Sequence, residues 1–113
     1  MPDVIYNPEQ LIVNIPELLI PYTKGTNRGI NLIANTSLQI APVNLTRIYL
    51  IIVNLTDVPV WLSLGQNTAA LNQGMPLFNK RSYFEVSKEA LFRGQISAIS
   101  DSPASLSFTE CSL

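Results

Sequence analysis

Histidine is absent from this 113-residue chain, and cysteine occurs once, as Cys111. The commonest general base and the commonest transition-metal ligand are therefore missing. One thiol without an imidazole cannot build a zinc site of the usual kind. The carboxylates Asp57, Glu85, Glu89, Asp101 and Glu110 stand apart in the sequence. Two carboxylates distant in sequence can meet in space and work as a glycosidase pair. No spacing singles out two of these, and solvated surface acids are the plainer reading. The five glycines form no phosphate-cradling pattern, and no serine sits in a Gly-x-Ser-x-Gly elbow. The expectation is a chain that is not an enzyme and that carries no cofactor and no metal. Cys111 has no internal partner, so it is either a free thiol near the chain end or a bridge between subunits.

Other residues could support binding rather than catalysis. Trp61 falls on the mixed face of an alternating segment, where it either stacks on a ligand such as a sugar ring or covers a core or subunit contact. Arg47 stands immediately before a strongly apolar run, where an unpaired charge would be costly. It is expected to pair with a carboxylate such as Glu85 or Glu110, or with backbone carbonyls at a subunit junction, unless it is a solvated strand end. Net charge is −1 and the basic residues are scattered, so no nucleic-acid partner is expected. Three Asn-x-Ser/Thr triplets begin at Asn35, Asn44 and Asn54. The start MPDVIYNPEQ lacks the basic flank of a secretory signal, and Asn and Thr gather in turns for their own hydrogen-bonding reasons. The triplets therefore read as turns.

The elements that must position these residues are short and extended. Gly, Pro and Asn punctuate the sequence every eight to twelve residues or so, with Ile, Val, Leu, Tyr and Phe between them. This spacing predicts strands at 11–15, 30–34, 38–41, 48–54, 58–64, 83–86, 96–100 and 105–110. Residues 55–57 read as the loop between two of them, and 87–94 as a connection with at most one helical turn. The expected fold is an all-β antiparallel β-sandwich, of jelly-roll or immunoglobulin-like type. In strand 48–54, Ile48, Leu50 and Ile52 fall on one face, and Tyr49, Ile51 and Val53 on the other. An antiparallel sandwich normally wets one face of each sheet, so this strand asks for a second cover besides the core.

Composition points the same way. Charged residues make up 13% of the chain, against about 25% in an ordinary soluble domain. Apolar residues reach 47%, which predicts a homo-oligomer or a larger assembly rather than an isolated monomer. The longest large apolar run, Ile48 to Val53, is far shorter than the roughly 20 residues of a spanning helix, so no membrane partner is expected. Residues 1–29 differ from residues 30–113. Pro2, Pro8, Pro16 and Pro21 space out Leu11, Val13, Leu18 and Ile20, and a soft run at 23–29 follows. Prolines favour extended chain. The division is therefore an extended N-terminal arm, 1–29, and a sandwich domain, 30–113. The arm either folds onto its own domain as an edge strand or lies on another subunit.

From Thr36 to Glu110 the features come in a recognisable order: TSLQIAP, NLTR, IYLIIVN, VPVWLSLG, NTAALNQGMPLFNKRSYFEV, ISAIS and SLSFTE. This order resembles small virion proteins of tailed phages. The resemblance implies a β-sandwich on the outside of a capsid, as a decoration or cement subunit. It further implies a trimer bound to the major capsid protein, located at the virion surface and made in the host bacterial cytoplasm. The alternative is a head or tail fibre domain that binds host-surface glycan. The candidate interface residues are Leu11, Val13, Leu18 and Ile20 in the arm, with Arg47, Tyr49, Ile51 and Trp61 in the domain.

Overall fold

Alternating side chains along short extended segments settle into strands, because only a pleated chain sends successive residues to opposite faces. The structure, a computed structural model, describes residues 24–66 and 68–113. Every regular element among them is a strand. In chain order these are β1 (Lys24–Leu32), β2 (Leu38–Ala41), β3 (Arg47–Asn54), β4 (Val60–Leu64), β5 (Met75–Leu77), β6 (Tyr83–Val86), β7 (Ile96–Ile99) and β8 (Ala104–Ser112).

Two four-stranded sheets form, with orders β1-β8-β3-β6 and β2-β7-β4-β5. The antiparallel pairs β1·β8, β2·β7, β3·β6 and β4·β5 describe one long hairpin. Rolling that hairpin brings β8 beside β3 and β7 beside β4, which splits it into two layers. This is the jelly-roll form of the sandwich, so the choice that the sequence leaves open falls to that form.

The core lies between the layers. It is built from alternate residues of each strand, including Ile30 and Leu32, Leu50 and Ile52, Val60 and Leu62, and Leu106 and Phe108. Arg28 ties the two layers at one edge. Its guanidinium lies 4.4 Å from the Phe108 ring centre, and Nη2 donates to the Ile40 carbonyl at 2.5 Å. Such a contact adds cation–π attraction to the bonds between the layers.

Several expectations are corrected here. The boundary between residues 29 and 30 falls inside β1, because Lys24–Gly29 pair continuously with Ser107–Ser112 and the register runs on to Leu32 opposite Ala104. Residues 24–29 of the soft run are thus part of an edge strand whose backbone bonds do not depend on apolar side chains. The expected strand 11–15 lies outside the described residues. Strand β5 was not expected, since Pro76 cannot donate to a ladder. It is tolerated because β5 is the edge of its sheet. No helical turn forms at 87–94; Ser87 and Ala90 make an isolated bridge instead.

Candidate interaction surface

The outer face of the first sheet follows from the register. Tyr49, Ile51 and Val53 of β3 stand opposite Cys111, Thr109 and Ser107 of β8. Ile51 and Val53 stand opposite Glu85 and Tyr83 of β6 on the other side. Across β8, Thr109 and Ser105 donate to Asn27 and Asn31 of β1 at 2.8 and 3.1 Å. One half of this face is therefore a ladder of small polar groups, and the other an apolar stripe of Tyr49, Ile51, Val53 and Tyr83. The three β3 residues are half-buried, and Tyr83 is exposed. The Tyr49 hydroxyl donates to Glu85 at 2.7 Å, which fixes the ring along the sheet. The outer face of the second sheet differs, because described residues after β4 (65–66 and 68–74) bond across it.

That contrast is sharp at β7. Ser97 and Ile99 pair with Ser63 and Trp61, so they face outward, yet both are buried. The loop after β4 closes over them. Ser97 donates to the Gln66 carbonyl at 3.3 Å, and the Ala69 N–H donates to the Ser37 hydroxyl at 2.8 Å. Gly74 ends this loop at φ +92°, and a Cβ there would stand 2.1 Å from the Leu62 carbonyl oxygen. Only glycine fits such a close backbone approach. Beneath the loop runs a polar cleft of about 220 Å³, lined by Ser63, Gln66, Thr68 and Gln73. Trp61 is half-buried on the same strand face, with its ring edge-on to Phe78 at 5.3 Å between centroids.

Arg47 is placed differently from the expectation of an interface residue. It is fully buried in its own chain. Period two would put Arg47 outward with Tyr49 and Ile51. A bulge between Arg47 and Tyr49 in the pairing with β8 reverses it, so Arg47 and Ile48 both turn inward. Nε donates to Glu110 at 2.6 Å, Nη1 to the carbonyls of Phe92 and Gly94 at 2.9 and 3.0 Å, and Nη2 to that of Pro42 at 3.0 Å. The carboxylate contact runs through Nε alone and is not a two-pronged fork. Glu85 is not its partner. The carbonyls belong to the chain's own β2–β3 and β6–β7 connections, so the guanidinium clamps one end of the sandwich together.

Asn54 does the equivalent work at the other end of β3. Its Nδ2 donates to the carbonyls of Val58 and Leu77 at 2.8 and 2.9 Å. Its Oδ1 accepts from the N–H and hydroxyl of Thr56, both at 2.9 Å. Asn44 makes the same pair of bonds to Thr46, at 3.1 and 3.0 Å. Both Asn-Leu-Thr triplets are thus Asx-type turns, which use the asparagine oxygen as a local acceptor. The repeated Asn-Leu-Thr triplet signals the turns, whereas the burial of Asn54 and its bonds to Val58 and Leu77 have no counterpart in the triplet.

Leu11, Val13, Leu18 and Ile20 lie outside the described residues. The carboxylates serve local structure: Glu110 holds Arg47, Glu85 accepts from Tyr49, and Glu89 accepts from Ser87. Among the described residues, no group of three or more His, Cys, Asp or Glu could hold a metal ion, and no helix is long and apolar enough to cross a membrane. Comparison with protein-family models, with characterised proteins and with solved structures finds no match to this chain.

Proposed function

We propose that this chain is a structural virion protein that decorates and stabilises the outside of a phage capsid. The observation that carries the reading is the apolar stripe of Ile51, Val53 and Tyr83 on the outer sheet face, which takes no part in the core between the layers. Ile51 and Val53 are already half-buried, so completing the burial of each is worth about half of the roughly 1.5–3 kcal/mol of a full burial. Several copies joined together would multiply weak contacts with the major capsid protein into firm attachment. The resemblance and the local three-fold points of capsid lattices favour a trimer as the associating unit. The work is mechanical, since each copy spans neighbouring shell subunits and opposes their separation. The test mixes purified protein with stripped capsids. Saturable, ordered decoration supports the reading, and absence of binding refutes it. Light scattering of the free protein tests the oligomer.

A fibre domain that binds host glycan is the second reading. The uncharged cleft of Ser63, Gln66, Thr68 and Gln73 favours it, because hydroxyl and amide groups match the hydrogen-bonding pattern of a sugar, and Trp61 lies two residues away on the same face. Glycan-array binding that is lost on Gln73→Ala, with no capsid decoration, selects this reading over the first.

A further inference from the structure

Three separate stretches meet at the Arg47 end of the sandwich: the β2–β3 connection, the β6–β7 connection and the C-terminal residues. They are bonded to one another as well as to Arg47. The Asn44 N–H donates to the Arg93 carbonyl at 2.9 Å, the Leu113 N–H to the Thr46 carbonyl at 3.1 Å, and Asn44 Nδ2 to the Ser112 hydroxyl at 2.8 Å. A surface this firmly tied is pre-formed. It nevertheless displays four aliphatic side chains to water: Val43 at 58% exposure, Leu45 at 75%, Leu91 at 42% and Leu113 at 42%. Connections are ordinarily polar, and a rigid, apolar end face of this kind marks a contact surface.

Residues 1–23 join the fold at this same end. Lys24 is paired with Ser112, and β1 runs antiparallel to β8. β1 therefore begins at this end, with Lys24 beside the C-terminal end of β8. These 23 residues are rich in large aliphatic side chains, and their charged residues, Asp3, Glu9 and Glu17, are all acidic. All seven Lys and Arg of the protein lie in the remainder. At the apolar end, Lys24 and Arg93 stand against Glu89, while Arg47 and Glu110 neutralise each other. Apolar content and charge sign both match between segment and surface. A segment that extended the line of β1 beyond Lys24 would have to reverse to cover its own end, and would need no reversal to reach a neighbour's.

We propose that this end face is the receiving surface for residues 1–23 of a second copy, which docks there as an acidic, apolar strap. The inference rests on the reading that copies associate, and names the contact that joins them. Exchange of the segment around a closed ring satisfies every end face at once.

The test uses two full-length populations, both carrying Cys111→Ser, one with Leu18→Cys and the other with Leu45→Cys. They are mixed under mild oxidation with no capsid present. The expected result is a disulfide between the populations, well above that seen when Lys80→Cys replaces Leu45→Cys. No link above that control overturns the proposal. So does a Leu18→Cys/Leu45→Cys chain that closes only on itself. A second arm uses Val43→Asp/Leu45→Asp in the full chain, with circular dichroism to verify folding. Its self-association constant is expected to weaken on the order of 100-fold, from the apolar burial lost. Unchanged association of the folded variant overturns the proposal. Decoration of capsids is measured separately: intact decoration without the link defeats the strap alone, and the link without decoration defeats the capsid reading alone.

Discussion

Replacing Arg47 by methionine removes a fully buried cation while keeping most of its length. Glu110, whose side chain is 12% exposed, loses its counter-charge, and the carbonyls of Pro42, Phe92 and Gly94 lose a donor. Breaking a buried pair from one side costs about 3–5 kcal/mol, because the surviving charge stays behind without compensation. Each carbonyl left without a donor adds about 1–3 kcal/mol where water cannot reach it. Here Pro42 is exposed and the Phe92 and Gly94 residues are half-buried, so water recovers part of the loss. Glu110 keeps some access to water, which puts its stranded charge at the low end of that range, and the carbonyls together add up to about 1 kcal/mol, so the expected destabilisation of Arg47→Met is about 3–4 kcal/mol. With a urea slope of about 1.5 kcal/mol/M for a chain of this size, the midpoint falls by roughly 2 M. Arg47→Met/Glu110→Leu removes the stranded charge but still deprives the carbonyls, and should remain about 1–2 kcal/mol below the parent. A midpoint change for Arg47→Met worth under about 0.5 kcal/mol, the scale of a surface pair, would refute the clamp.

Asn54→Ala removes four side-chain bonds from a buried site and should cost about 2–4 kcal/mol in urea unfolding, while Asn44→Ala, at a half-exposed turn, should cost about 1 kcal/mol. Gly74→Ala places a Cβ against the Leu62 carbonyl at positive φ and should lower stability by about 3 kcal/mol, read as a fall in melting temperature. Ile51→Glu puts a charge on the open stripe; the fold should hold within about 1 kcal/mol by urea unfolding while capsid decoration is lost.

Much of the strand layout was legible because a strand facing a core on one side repeats every two residues. Strands 38–41 and 83–86 appear where the alternation places them, and β3, β7 and β8 differ from expectation only at their ends. The Asn-Leu-Thr turns were legible for a related reason: the bond from Asn to the residue two positions on is local, so three letters suffice. The stripe of Tyr49, Ile51 and Val53 was likewise set by parity within β3.

What needed the folded chain was everything that depends on residues far apart. The two Asn-Leu-Thr turns are locally alike, yet only Asn54 is buried and reaches Val58 and Leu77, because the packing of β5 beside it was invisible in the triplet. Arg47 shares the parity of the outward residues, and only the bulge formed against β8 turns it into the interior, where Glu110 lies 63 positions away. β7 is buried on both faces, by the core on one and on the other by a loop that its own composition does not announce. Local alternation is written in the chain by the geometry of the peptide; which strand lies beside which, and what covers an outer face, is decided only when distant segments compete for the same apolar surface.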